Sequence, residues 1–143
     1  MEETARKAEI LVVEDEDNIA IALNYLLTRE GYAQTRLATG AGAVEMIRER
    51  KPDLVLLDVM LPEVSGYEIC QSVRADPDCG LVRILMMTAR GSAMERRKGL
   101  AMGADGFISK PFELKELREE VRKILSVPRS EVPSPSTEGI ADA

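Results

Sequence analysis

Histidine is missing from all 143 residues of the chain. That excludes a Ser–His–Asp triad and any zinc site with imidazole ligands. An acid, base or nucleophile here must be Asp, Glu, Lys, Ser, Thr, Tyr or Cys. Cysteine is scarce: Cys70 and Cys79 form no CxxC pair. Reduced thiols in a cytoplasmic protein fit them better than a disulfide, which stays open. Positive charge is in deficit, with a net −6 and a pI near 4.8. That leaves no electrostatic grip on nucleic acid or an anionic membrane, so neither is expected as a direct partner. No run approaches the roughly 20 apolar residues of a membrane span, and the opening MEETARKAEI has no apolar signal core. Neither GxGxxG nor the P-loop pattern occurs, which argues against a flavin or dinucleotide module. What is present, 45% hydrophobic and 31% charged residues with 3% aromatic, is the composition of a soluble globular chain. Its length suits one domain with a core of its own.

Short apolar runs alternate with segments of helical period. The runs are ILVV (10–13), LVLL (54–57) and ILMM (84–87), with weaker candidates AQTRLA (33–38) and GFI (106–108). Continuous rather than alternating runs suit parallel strands covered on both faces, and the polar AQTRLA suits an edge. Between them, Ile19, Ala22, Leu23, Leu26 and Leu27 form a helical stripe stopped at Gly31. A second helix carries Val44 and Ile47 and ends near Pro52; a third carries Ile69 and Val73 and ends before Pro77. A fourth spans about 92–102, and a fifth bears Leu114, Leu117, Val121 and Ile124. The pattern predicts an α/β fold, (βα)5, with a parallel five-stranded sheet and helices on both faces; if it takes the flavodoxin-like order 2-1-3-4-5, strands 1 and 3 are neighbours. Residues 1–8 read as an N-terminal extension and 9–125 as the domain. From Ser126 the Pro- and Ser-rich SVPRSEVPSPSTEGIADA reads as a disordered tail or linker.

The apolar runs end on polar residues. Glu14 and Asp15 follow the first, Asp58 the third, Thr88 the fourth, and Lys110 comes soon after the fifth. Open α/β sheets bind ligands at the carboxyl ends of their strands, so these side chains should gather at one crevice. Three neighbouring carboxylates repel one another and call for a cation. Mg²⁺ fits, because it takes oxygen ligands and leaves positions for water and a phosphate oxygen. Lys110 supplies a point charge suited to a phosphoryl group, and Thr88 a hydrogen bond. A carboxylate can serve as nucleophile and form an aspartyl-phosphate. The crevice reads as a place where Asp58 accepts a phosphoryl group.

In VVEDE (12–16), LLDVMLP (56–62), MMTA (86–89) and FISKPF (107–112) the chain resembles the receiver domains of two-component response regulators, the CheY-like family. The resemblance implies that Asp58 is the phosphoacceptor and that Thr88 and Lys110 contact the phosphoryl group. Asp15, Asp58 and the Met60 backbone carbonyl would hold Mg²⁺ directly and Glu14 through water. It further implies a small Ala89 that leaves the phosphate accessible, an aromatic switch at Phe107 paired with Thr88, and a cis bond before Pro111. Met60 and Arg90 stand where the family tunes dephosphorylation. The implied partners are a sensor histidine kinase or histidine phosphotransfer protein, and a downstream target or second copy meeting the face of the fourth helix, fifth strand and fifth helix. The expected role is a phosphoacceptor signalling protein, cytoplasmic, that catalyses only its own phosphorylation and dephosphorylation.

Singly, each residue has a plainer reading. EDED (14–17) could be an acidic first helical turn with Asp17 as cap. Asp58 could be a turn carboxylate, Thr88 a strand residue and Lys110 a solvated loop lysine. Met86 and Met87 read as sheet core, Met94 and Met102 as helix packing, and Cys70 as a packed small residue. Four coincidences at strand ends outweigh the plain readings. A haloacid-dehalogenase-type phosphatase would need an acid two residues past the nucleophile, where Met60 stands. A single-domain regulator is expected; the alternatives are an N-terminal receiver of a longer regulator, or a phosphorylation-independent interaction domain.

Overall fold

The computed structural model describes residues 7–89 and 93–127. Within them β1 (Glu9–Val13), β2 (Ala33–Leu37), β3 (Leu54–Asp58), β4 (Arg83–Thr88) and β5 (Gly106–Ser109) alternate with α1 (Asp17–Arg29), α2 (Ala43–Arg50), α3 (Gly66–Ala75), α4 (Ala93–Ala101) and α5 (Leu114–Ser126). The strands form one parallel sheet in the order β2-β1-β3-β4-β5, which is the expected flavodoxin-like order.

Side chains alternate along each strand, and this sorts the apolar residues onto two faces. Leu11, Val13, Val55, Leu57, Ile84, Met86 and Phe107 pack with Ile47 of α2 and Ile69, Cys70 and Val73 of α3. Ile10, Val12, Leu54, Leu56, Leu85, Met87 and Ile108 pack with Leu23, Leu26 and Leu27 of α1 and Leu117, Val121 and Ile124 of α5. Every residue of β3 is buried, so a central strand reads as an unbroken apolar run. The edge strand β2 is half-buried throughout most of its length and reads as polar.

Some expectations need correcting. Glu16, not Asp17, holds the cap position of α1, and no side chain caps that helix. Asp17 is the first helical residue, and its carboxylate pairs with Arg36 at 2.9 Å. Ala20 rather than Ala22 is the buried alanine of α1. Met94 is 70% exposed rather than part of the core, and Gly99 is the only buried residue of α4. Both cysteines are free and buried, and burial pushes the Cys70 thiol up to about 11. Helix α5 runs through Ser126, one residue past the expected domain end. The expected tail beyond Val127, most of the N-terminal extension and Arg90 lie outside the described residues. No helix among the described residues is long and apolar enough to cross a membrane.

The start of α3 matters for the site. Ser65 and Glu68 form a reciprocal cap, each side chain accepting from the other's amide at 3.2 and 3.1 Å. The Gly66 amide donates to the Val59 carbonyl at 3.0 Å. The helix is thereby fastened to the chain just past Asp58.

Candidate functional site

Four of the strands deliver polar residues to one edge of the sheet. Glu14 is the first residue after β1, Asp58 and Thr88 are the last residues of β3 and β4, and Lys110 is the first after β5. Because β1, β3, β4 and β5 are consecutive neighbours, their ends converge. Asp58 belongs to its strand rather than to the turn after it. It pairs with Met87 of β4, which gives its backbone a fixed place in the ladder.

Lys110 is the centre of the cluster. Its Nζ lies 2.9 Å from Glu14 Oε1 and 3.2 Å from Asp58 Oδ2. The other Asp58 oxygen, Oδ1, accepts the Met60 amide at 3.0 Å, and Glu14 Oε2 accepts the Glu16 amide at 3.1 Å. The Lys110 amide donates to the Thr88 carbonyl at 2.7 Å, and the Lys110–Pro111 bond is cis. One carboxylate oxygen each from Glu14, Asp15 and Asp58 lies within 4.8 Å of the others. Glu14 and Thr88 are wholly buried and Asp58 is 3% exposed, whereas Asp15 is exposed.

The electrostatics follow from that burial. Desolvation raises the Glu14 pKa above its ordinary value, and the nearby Asp58 charge pushes the same way, against the pull of the Lys110 ammonium and the Glu16 amide. For Lys110 burial is the largest single influence and acts downward. The hydrogen bond to Glu14 and the charges of Asp58 and Glu14 together outweigh it, so its pKa rises. Lys110 is therefore a permanent cation at neutral pH, shared between two carboxylates.

The donor set fits a hard divalent cation. It consists of carboxylate oxygens with an exposed member, Asp15, on the solvent side. Two carboxylates, Glu14 and Asp58, share the single Lys110 ammonium and Asp15 adds a third, so the cluster still favours a further cation. The complete burial of Glu14 was not anticipated from the sequence.

Thr88 and Phe107 share a face of the sheet. Phe107 pairs with Met86, two residues before Thr88, so the side chains of Thr88 and Phe107 leave the sheet on the same side. Phe107 is already packed inward at 2% exposure. A Cβ on Gly99 of α4 would stand 2.9 Å from its ring, and Arg96 of α4 donates to its carbonyl at 3.1 Å. The Met60 side chain is 53% exposed at the rim, and Ala89 is also exposed.

Sequence reasoning missed Arg36, whose Nε and Nη2 donate to the Glu14 carbonyl at 3.0 and 2.9 Å. The signal was an arginine in the strand predicted to neighbour the acidic turn.

Residues 10–122 match the family model for the response regulator receiver domain. The chain is 43% identical over 124 residues to the phosphate regulon transcriptional regulatory protein PhoB of Rhizobium meliloti, an alignment covering 87% of this chain and 55% of that protein. It is 40% identical over 130 residues to the alkaline phosphatase synthesis transcriptional regulatory protein PhoP of Bacillus subtilis, covering 91% and 52%. The chain thus spans about half the length of these relatives. Among solved structures, a response regulator from Chloroflexus aurantiacus superposes with a TM-score of 0.81 at 36% identity, covering 85% of this chain and all of that one. The receiver domain of sensor histidine kinase PA1611 from Pseudomonas aeruginosa superposes with a TM-score of 0.78 at 29% identity, covering 85% and 100%. That receiver has a magnesium ion coordinated in its active site cleft.

Proposed function

The chain belongs to the response regulator receiver family of two-component signalling, and from that premise we propose that Asp58 accepts a phosphoryl group in a Mg²⁺-dependent reaction. The observation that carries this reading is the grouping of the Asp58 carboxylate with Lys110, Glu14 and Asp15 at the carboxyl edge of the sheet. The donor is a phosphohistidine on a sensor histidine kinase or phosphotransfer protein, since this chain has no histidine of its own. An Asp58 oxygen attacks phosphorus, the N–P bond breaks, and the imidazole leaves with the electron pair. The product is an acyl phosphate on Asp58.

Lys110 supports the charge that collects on the phosphoryl oxygens, and its raised pKa keeps it protonated for that task. The Met60 amide holds one Asp58 oxygen and so orients the carboxylate. Thr88 donates a hydrogen bond to the phosphoryl group. Mg²⁺, when held by Asp15, Asp58 and the Met60 carbonyl and through water by Glu14, supplies positive charge at the phosphoryl oxygens. The protein's own catalysis is limited to adding and removing this group.

The output follows from what Thr88 touches. A phosphoryl group brings nearly two negative charges, and Thr88 reorients toward it on the face it shares with Phe107. The Phe107 ring lies against Gly99, and its carbonyl holds Arg96. Helix α4 has little other buried surface, so its position is cheap to shift. The face of α4, β5 and α5 then changes for a downstream protein or a second copy, as a population shift.

Amide NMR with Mg²⁺, with and without the phosphoryl mimic beryllofluoride, tests the proposal. Perturbations should begin at residues 14–15, 58–60 and 88 and extend through 93–126. Perturbations confined to the first group would leave a phosphoacceptor without a switch.

A further inference from the structure

The turn between β1 and α1 carries four consecutive carboxylates, Glu14 to Asp17. Their mutual repulsion favours an open, mobile turn. A cation from the edge strand meets it. Arg36 stands opposite Val12 in the sheet, and Val12 faces α1 and α5, so the arginine leaves the sheet beside the start of α1. Every guanidinium nitrogen is engaged there. Nε and Nη2 donate to the Glu14 carbonyl at 3.0 and 2.9 Å, and Nη1 lies 2.9 Å from Asp17 Oδ1. The Glu14 amide, in turn, donates to the carbonyl of Leu37 at 3.0 Å. Two adjacent residues of β2 therefore fix the Glu14 peptide groups on both sides, and Arg36 alone spans the turn from residue 14 to residue 17. Asp15 stands between those points.

We propose that Arg36 is a positioning residue for the metal-binding acids: it clasps the β1–α1 turn and sets where the Asp15 carboxylate stands relative to Asp58. The inference rests on the proposed Mg²⁺ role of the site. The pair with Asp17 alone would mean little, since that carboxylate is 82% exposed. The forked bond to the Glu14 carbonyl carries the argument, because it acts on the backbone that leads into Asp15.

Charge and geometry predict opposite signs. Removing a cation near a metal site should tighten Mg²⁺ binding if Arg36 acts only through its charge. Removing a clasp should weaken it. Calorimetric Mg²⁺ titration of the whole chain decides between them, with thermal unfolding followed to confirm that each variant is folded at the titration temperature. Arg36→Ala is expected to bind about 10-fold more weakly, the low end for losing a group that orients a metal ligand. Arg36→Lys keeps the charge and the aliphatic stem but cannot make the forked bond and reach Asp17 together, and it too should weaken binding. Equal or tighter binding by both variants, while Asp15→Asn loses affinity, overturns the clasp and leaves the site reading intact. A wild-type chain that binds no Mg²⁺, or an Asp15→Asn variant that binds as well as wild type, overturns the site reading and the clasp with it.

Discussion

Lys110→Met is expected to lower the unfolding free energy by about 3 kcal/mol at pH 7, the scale for removing one partner of a buried ion pair. The wild-type ammonium sits 2.9 Å from one carboxylate and 3.2 Å from another, with Glu14 wholly buried. Methionine keeps most of the stem's apolar contact, so the loss reports charge rather than packing. The deficit should also depend on pH in a defined direction. Burial already raises the Glu14 pKa above the ordinary carboxylate value in the folded protein, and without the Lys110 ammonium it must rise further. A raised folded pKa means that the native state holds its proton more tightly than the unfolded chain does. The deficit is therefore full at neutral pH and shrinks as pH falls toward the unfolded value. In the wild type, the raised Lys110 pKa preserves its contribution until pH rises through that folded value. Urea unfolding of both proteins across this range checks the claim. A variant as stable as wild type at pH 7 would mean that Lys110 does not neutralise the cluster.

Gly66→Ala should cost about 2 kcal/mol, within the range for overpacking a tight contact, although alanine favours a helix by about 1 kcal/mol. A Cβ at this position would stand 2.4 Å from the Asp58 carbonyl oxygen and 2.8 Å from Val59 Cα. Both are backbone atoms and cannot rotate away. Relief must come from moving the end of β3 or the start of α3, and the capping box and the Gly66–Val59 bond hold the latter in place. Asp58, the proposed phosphoacceptor, is thus the residue displaced. Denaturant unfolding should show the loss, and phosphorylation by acetyl phosphate should slow. Unchanged stability and an unchanged rate together would show that this close approach constrains nothing.

The acid-ended strands were legible because they depend on local pattern. LVLLD ends a strand buried on both sides, and no arrangement of parallel neighbours could place Asp58 anywhere but the carboxyl edge. Alternation gave the parallel sheet and the polar AQTRL an edge strand, whereas the order 2-1-3-4-5 came with the family resemblance and is the one observed. What escaped the sequence were contacts made between distant segments. Arg36 reaches Glu14 across 22 positions, and only the pairing of β1 with β2 brings them together. Asp17 looked like a cap because its type favours that position, but the helix starts one residue earlier than that reading, with Glu16 at the cap and the Asp17 carboxylate paired with Arg36. Met94 looked like packing because it is apolar; α4 has no apolar stripe and meets the sheet mainly through Gly99, so the side chain faces solvent. Phe107 is inward in this arrangement because that glycine leaves room for its ring.

Whether Asp58 takes the phosphoryl group can be read from the intact mass of the chain after incubation with acetyl phosphate and Mg²⁺. One added phosphoryl group, stable in acid and released by base or hydroxylamine, is expected on the wild-type chain. None is expected on Asp58→Asn, whose side chain keeps the shape of the aspartate but offers no carboxylate to attack phosphorus. An Asp58→Asn chain that gains the group to the same extent as wild type would contradict the account.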